Sequence, residues 1–196
     1  MTTDAATLRA AVLPRSSVVT DTALVVGGAG FIALCAQVVV HVPRLTPIPF
    51  TLQTFAVLAV GAALGSWRGG IATLLYLLVG IAGLPVYAEG ASGASVVFGY
   101  SGGYLVGMVL AAVLVGSLAE RRGMDRRVHT AVLAMLAGAL VILSVGTVWF
   151  AAVMDMSLGA AITKAVVPFL AVEAIKIAVA TAALPTAWKL LSLLRK

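Results

Sequence analysis

An apolar stretch near the C-terminus, VVPFLAVEAIKIA at residues 166–178, contains two charged residues, Glu173 and Lys176. Their spacing of three residues places both side chains on one face of a helix. A charge at membrane depth costs about 2.5 kcal/mol or more, so such residues usually have a partner or a function. The stretch therefore predicts a membrane helix that carries a polar site. A carboxylate beside an ammonium suits a ligand with both N–H donors and oxygen acceptors, and a structural ion pair is the alternative.

Composition places the chain among integral membrane proteins. Its 196 residues are 62% hydrophobic and 10% charged, and its mean hydropathy is +1.13. Soluble domains are about 45–50% apolar and about 25% charged. The single cysteine, Cys35, excludes a disulfide within the chain and a cysteine-rich metal site. The expected fold is an all-α membrane protein, a compact bundle of six transmembrane helices in the cell membrane.

Six apolar segments support this expectation, at residues 23–40, 50–66, 71–82, 104–119, 130–153 and 166–190. Residues 1–22 are a predicted cytoplasmic N-terminal segment without the pattern of a signal peptide, and residues 23–196 are the predicted six-helix membrane domain. The second and third segments are shorter than the roughly 20 residues of a full span, so they predict a short hairpin with a tight turn at 67–70. The last helix is expected to begin near Val166, which puts Glu173 roughly 10 Å below its start.

Two connecting segments differ from ordinary solvated loops. Residues 42–49 contain three prolines, which cannot continue a helix. Residues 83–103 are rich in glycine, contain aromatic residues and have no Lys or Arg. A connection of this length is usually functional or disordered, and its aromatic content predicts a packed, folded lid.

The positions of the 13 Lys and Arg residues predict the orientation in the membrane. With the N-terminus inside, ten lie at inner positions, whereas Arg44 and Lys164 lie outside and Lys176 lies within the membrane. This bias predicts that both termini are cytoplasmic. Together with anionic lipid, it explains the net charge of +6 without a nucleic-acid partner. Both unusual connections and the Glu173 end of the last helix then share the outer half, so we expect a pocket that opens outward.

Other polar side chains near the outer half are candidate ligand contacts. Gln53 lies at the outer start of the second segment, where a bond to the free backbone of a helix end is the alternative role. Thr51 and Thr54 are weaker candidates because threonine can bond to its own preceding turn. Glu89 is the only charge in the glycine-rich segment. Tyr104 is either a ligand contact or an interfacial anchor.

Ala29 and Ala33 form a small-xxx-small pattern in the first segment. Such patterns let two membrane helices approach closely. The pattern serves either internal packing or a contact with a partner subunit.

Motifs of several enzyme classes do not occur in the sequence. There is no GxxxxGK[ST] nucleotide loop, no HExxH zinc motif and no GxSxG elbow. No nucleophile stands beside a base. We therefore expect a protein that is not an enzyme and has no metal or cofactor of its own.

Four strings, in this order, resemble the BioY family of biotin-specific S components of energy-coupling factor vitamin transporters. They are PIPFTLQT at 47–54, AGLPVYA at 82–88, GYSGGYLVG at 99–107, and Pro168–Phe169 followed by Glu173 and Lys176. The resemblance covers about residues 25–188. It implies a six-helix bundle that binds biotin from the outer face.

The resemblance also implies a contact set and partners. The implied polar contacts are Glu89, Glu173 and Lys176, and the full set of predicted substrate-binding residues adds Gln53, Tyr104 and Tyr87. The implied partners are a membrane coupling subunit and two cytoplasmic ATPase subunits. The surface around Ala29 and Ala33 is similar to the one that meets the coupling subunit.

Biotin suits a carboxylate and an ammonium in an apolar cavity. It offers two ureido N–H donors, a ureido carbonyl, an apolar thioether ring and a carboxylate tail. The residues alone leave two alternatives open, namely another small vitamin as the ligand and an ion-coupled carrier in which Glu173 is the proton relay.

Overall fold

The computed structural model describes residues 7–13, 17–40, 46 and 48–194. Within these ranges the secondary structure is almost entirely helical. The nine α-helices of the described residues are α1 (Leu8–Val12), α2 (Val18–Ala36), α3 (Gln53–Leu64), α4 (Ser66–Ile81), α5 (Ala94–Phe98), α6 (Gly102–Arg122), α7 (Val128–Val153), α8 (Leu158–Ala165) and α9 (Leu170–Leu194).

Two 3-10 turns and one small strand pair complete the described secondary structure. The turns lie at Ala88–Gly90 and Val167–Phe169. The strand Val39–Val40 pairs antiparallel with Phe50–Thr51. Most of the predicted proline-rich break, together with Arg44, lies outside the described residues, as do parts of the predicted N-terminal segment.

Four helical stretches of the described chain are long and apolar enough to cross a membrane. They are α2, α6, α7 and the continuous stretch Leu158–Leu193 that contains α8 and α9. The two helices between α2 and the lid segment are shorter, with 12 residues in α3 and 16 in α4. The prediction of an all-α membrane bundle with a short hairpin is confirmed. The orientation with both termini inside stays a prediction.

The turn between α3 and α4 lies at Gly65, so the predicted turn at 67–70 is wrong. Gly65 has a φ of +90°, which glycine adopts without steric cost. Gly69 lies inside α4 and has no side chain to separate α4 from α3. A Cβ at this position would be 2.7 Å from the Cα of Gly61 in α3. Gly69, one of the two glycines that suggested a turn, therefore lets the two short helices approach closely.

The last helix also begins later than predicted, at Leu170 instead of Val166. Before it lies α8, capped by Ser157, and then the 3-10 turn that contains Pro168. Proline has no N–H and restricts the residue before it, so a regular α-helix is interrupted at this point. Glu173 therefore lies in the first turn of α9 and not about 10 Å below the helix start.

Helix α6 lies at the centre of the bundle and packs against α3, α4 and α7, and α9 packs against α7 and α3. Charged side chains tie the helices together at the end predicted to be cytoplasmic. Arg68 donates to both carboxylate oxygens of Asp21, at 2.8 and 2.9 Å, and Arg9 donates to the same carboxylate at 2.9 Å. Ser66 donates to Glu120 at 2.6 Å, which joins the start of α4 to the end of α6.

Candidate ligand-binding site

A cavity of about 320 Å³ lies at the other end of the bundle, where α3, α6 and α9 begin. One wall of the cavity comes from residues 83–101, which we call the lid. The lid contributes Tyr87, Glu89 and Tyr100, so the glycine-rich segment is folded against a pocket. The apolar walls come from the helices and their approaches, through Ile48, Leu105, Met108, Ala139, Ile142, Leu143 and Phe169.

Three polar side chains form a closed hydrogen-bonded cluster at the cavity wall, the Thr54–Glu173–Lys176 cluster. Lys176 Nζ donates to Glu173 Oε1 at 2.6 Å and to Thr54 Oγ1 at 2.9 Å. Thr54 Oγ1 in turn donates to Glu173 Oε1 at 3.0 Å. Glu173 and Lys176 are only 5% and 6% exposed, and all three residues line the cavity. The structure thus brings the two predicted charges together with a threonine from another helix.

The cluster retains hydrogen-bonding capacity toward the cavity. Both bonds to Glu173 fall on Oε1, so Oε2 has no hydrogen-bond partner among the described residues. The Lys176 ammonium has three donors and uses two of them within the cluster. The position of Glu173 in the first turn of α9 also favours its negative charge, because the helix dipole is positive there. The site therefore offers one acceptor atom and one donor to a bound molecule.

Gln53 is the first residue of α3 and is 5% exposed. Its Nε2 donates to the Tyr76 hydroxyl at 2.7 Å, and its Oε1 accepts a hydrogen bond from Thr51 Oγ1 at 3.4 Å. The Tyr76 ring meets the Tyr87 ring edge-on at 5.6 Å. Gln53 is therefore held in a side-chain network at the cavity wall. Its role is not limited to a hydrogen bond with the free backbone of the helix end.

An aromatic row forms another wall. Tyr104 is 6% exposed and its hydroxyl donates to the Ala165 carbonyl at 3.2 Å. Its ring lies 6.4 Å from that of Phe169, which in turn lies 4.5 Å from Phe50. Because Tyr104 is buried in the bundle, it does not serve as an interfacial anchor.

The two predicted lid residues differ in burial. Tyr87 is 2% exposed, and its hydroxyl donates to the Leu77 carbonyl at 2.6 Å. Glu89 is exposed but lines the cavity, and it has a left-handed backbone with φ of 59°. All six predicted substrate-binding residues therefore lie on one cavity.

Sequence reasoning underrated Thr54 and missed the wall that α7 contributes. The available signal for Thr54 was its place beside Gln53 at the polar start of an apolar helix. Ile142 and Leu143 had no such signal, because they are apolar residues within an apolar helix.

The proposed partner-contact pair is split between two environments. Ala29 is 8% exposed and packs in the hydrophobic core, so it faces the interior of the bundle. Ala33 is half-buried and lies at the edge of a shallow groove with Gly30 and Leu34. The side chain of Ala29 is therefore used for internal packing, and a contact of this pair with a partner subunit stays a prediction.

Comparison with known proteins identifies a family and several relatives that are similar to this chain. The sequence pattern of the BioY family matches residues 4–193. Biotin transporter BioY of Thermotoga maritima is 46% identical over 78 residues, which are 40% of this chain and 46% of that protein. Biotin transporter BioY of Rhodobacter capsulatus is 38% identical over 107 residues, 53% of this chain and 55% of that protein. The matched part of the chain thus spans about half the length of these two relatives.

A longer match and a solved structure extend the comparison. Biotin transporter BioY2 of Lactococcus lactis subsp. cremoris is 31% identical over 153 residues, 78% of this chain and 81% of that protein. The fold is similar to the crystal structure of an S-component for biotin from an ECF-type ABC transporter, with a TM-score of 0.80, 21% identity, and coverage of 89% of this chain and 95% of that one. These relatives are named as transporters, in agreement with a chain that is not an enzyme. Because the family pattern covers the lid, the cluster and every membrane-length helix of the described residues, this multi-pass membrane protein belongs to the BioY family.

Proposed function

We propose that this chain captures biotin from the outer side of the membrane as the S component of an energy-coupling factor transporter. The observation that carries the proposal is the Thr54–Glu173–Lys176 cluster, which faces an apolar cavity and, among the described residues, leaves one acceptor and one donor without a partner. The names of the relatives in the BioY family support biotin as the ligand.

The chemistry of the cavity suits a small vitamin of this type. Ligand cavities usually measure about 300–1,000 Å³, so a volume of about 320 Å³ fits a small molecule and not a large cofactor. Glu173 Oε2 accepts a ureido N–H, and the remaining Lys176 donor binds the ureido carbonyl or the carboxylate tail. The row of Phe50, Phe169 and Tyr104 provides apolar contact for the rings and the chain.

Transport against a gradient requires partners in this proposal. The sequence has no nucleotide-binding loop, so the energy comes from two cytoplasmic ATPase subunits through a membrane coupling subunit. The similar solved structure, an S-component from an ECF-type ABC transporter, supports this arrangement.

A calorimetric titration of the detergent-purified protein with biotin tests the proposal. We expect saturable binding with one site per chain. The Lys164→Ala variant is the matched control, because Lys164 is an exposed lysine near the same end of the bundle. This variant should bind biotin like the wild type. Absence of binding at micromolar biotin would refute the proposal.

Competition experiments separate biotin from the other vitamins. Thiamine and riboflavin should fail to displace biotin, whereas displacement by either would indicate a different vitamin as the ligand. Biotin methyl ester lacks the carboxylate charge, so a large loss of affinity would assign Lys176 to the tail, and a small one would assign it to the ureido carbonyl. Uptake that follows the proton gradient without ATPase partners would instead favour an ion-coupled carrier.

A further inference from the structure

Gln37, directly after α2, makes several hydrogen bonds to the lid although it is an exposed residue. Its Nε2 donates to the backbone carbonyls of Val86 at 3.2 Å and Tyr87 at 3.0 Å. Its Oε1 accepts from the N–H of Gly90 at 3.2 Å. The same Nε2 also donates to Ala33 in its own helix at 3.3 Å. One side-chain amide thus joins the end of α2 to both sides of the lid turn at residues 86–90.

The lid turn that Gln37 holds is both strained and part of the cavity wall. Glu89 has φ of 59° and ψ of 26°, a left-handed conformation that side-chain-bearing residues rarely adopt. Within the turn, Gly90 donates to the Tyr87 carbonyl at 3.1 Å, and Tyr87 donates to the Ala91 carbonyl at 3.0 Å. Such a conformation persists only where surrounding contacts determine it, and Gln37 supplies contacts of this kind from outside the lid.

A line of contacts leads from this turn to the ligand site. The carbonyl of Tyr87 binds Gln37, and the ring of Tyr87 meets the ring of Tyr76 edge-on. The hydroxyl of Tyr76 accepts a hydrogen bond from Gln53 in the cavity wall. Gln37 itself is not among the residues that line the cavity, so it acts on the site only through the lid.

We propose that Gln37 is a positioning residue that holds the lid turn closed over the bound ligand and so controls how fast the ligand leaves. The expected effect on ligand dissociation rests on the proposed function, whereas the expected effect on hydrogen exchange in the unliganded protein does not. Without the Gln37 amide, the carbonyls of Val86 and Tyr87 bind water instead, and the closed turn loses its attachment to α2. Opening then becomes more frequent, which raises the dissociation rate and leaves the association rate nearly unchanged.

Two substitutions separate the donor and acceptor halves of the amide. Gln37→Met keeps an unbranched side chain of similar length but removes the amide, and with it the hydrogen bonds to Ala33 and to the lid. Gln37→Glu keeps an acceptor for the Gly90 N–H and removes the donor for the two lid carbonyls. Val26→Ala is the control, because Val26 is exposed on the same helix and lines neither the cavity nor the groove beside Gln37.

The experiment measures biotin association and dissociation rates, and backbone amide hydrogen exchange in the unliganded protein. For Gln37→Met we expect roughly tenfold faster dissociation, the size that corresponds to one or two net hydrogen bonds. Exchange should increase at residues 86–91 only. Gln37→Glu should also release biotin faster but should retain more protection at the Gly90 amide, and Val26→Ala should match the wild type.

Two results would overturn the proposal. One is a dissociation rate for folded Gln37→Met equal to that of the wild type, and the other is faster dissociation with faster exchange throughout α2 and α4, which would indicate a general loss of stability. If the wild-type protein binds no biotin, the proposed function fails by itself. Exchange in the unliganded protein then decides the role of Gln37, which is supported by a change confined to the lid and overturned by no change. If Gln37→Met cannot be purified, Gln37→Asn gives the same comparison with an amide one methylene shorter.

Discussion

Replacement of Lys176 by alanine is the most direct test of how the site works. In the structure, two of the three hydrogen bonds of the Thr54–Glu173–Lys176 cluster use the Lys176 ammonium. The variant loses the donor to the ligand and leaves a buried carboxylate without its counter-ion. A hydrogen bond to a charged group contributes about 1.5–3 kcal/mol, and the stranded partner adds to the loss. We expect the Kd for biotin to rise by about one to three orders of magnitude, or about 1.5–4 kcal/mol.

A double variant distinguishes a ligand site from a structural ion pair. Removal of one partner of a buried pair is strongly destabilising, by about 3–5 kcal/mol, whereas replacement of both partners by neutral residues is often tolerated. The variant that combines Glu173→Gln with Lys176→Met should therefore recover much of the thermal stability that Lys176→Ala loses. It should nevertheless bind biotin weakly, because neither the carboxylate nor the ammonium remains. Glu173→Gln alone should reduce affinity less, because the amide oxygen still accepts one N–H.

The assay is calorimetric titration with biotin after size-exclusion chromatography has shown that each variant is folded. A double variant that binds biotin with the wild-type Kd would refute a role of the pair in the ligand site, because the pair would then only stabilise the packing of α9. An unchanged Kd for a folded Lys176→Ala variant would lead to the same conclusion.

Three further predictions address the threonine of the cluster, the packing of α3 against α6 and the end predicted to be cytoplasmic. Thr54→Val removes the hydroxyl that bridges Glu173 and Lys176, so titration should show roughly tenfold weaker biotin binding, whereas Thr54→Ser, which keeps the hydroxyl, should stay near wild type. Gly61→Ala should lower stability by about 1–3 kcal/mol in a thermal melt, because its Cβ would lie 2.6 Å from a backbone oxygen of α6. In the control variant Gly30→Ala, the new Cβ meets no atom within 4 Å, so the melt should not show this loss. Burial raises the pKa of the Asp125 carboxyl more than the hydrogen bond from Trp188 lowers it. The contribution of this carboxyl to folding stability is therefore present at acidic pH and is lost as the pH rises through the raised pKa. Thermal melts should therefore show a smaller decline in stability from acidic to neutral pH in Asp125→Asn than in the wild type, and an equal decline would contradict the assignment.

Local features of the sequence determined the class of the protein and the charged pair of the site. Hydropathy over windows of membrane length depends only on neighbouring residues, so the bundle of apolar helices could be predicted without tertiary contacts. The spacing of Glu173 and Lys176 within one helix placed them together for the same reason. The positions of the arginines gave a preferred orientation, which depends on loop charges and not on packing.

Tertiary structure decided which residues complete the site. Thr54 joins the pair only because α3 packs beside α9, and α7 closes the cavity with apolar residues that no local pattern distinguishes from lipid-facing ones. The turn at Gly65 and the contact of Gly69 with Gly61 depend on how closely two helices approach, which is a property of the pair of helices. Gln37 reaches the lid from a distant part of the chain in the same way. The physical reason is that the rotation and depth of each helix follow from many small packing contacts summed across the bundle, whereas periodicity and charge are already present in each segment alone.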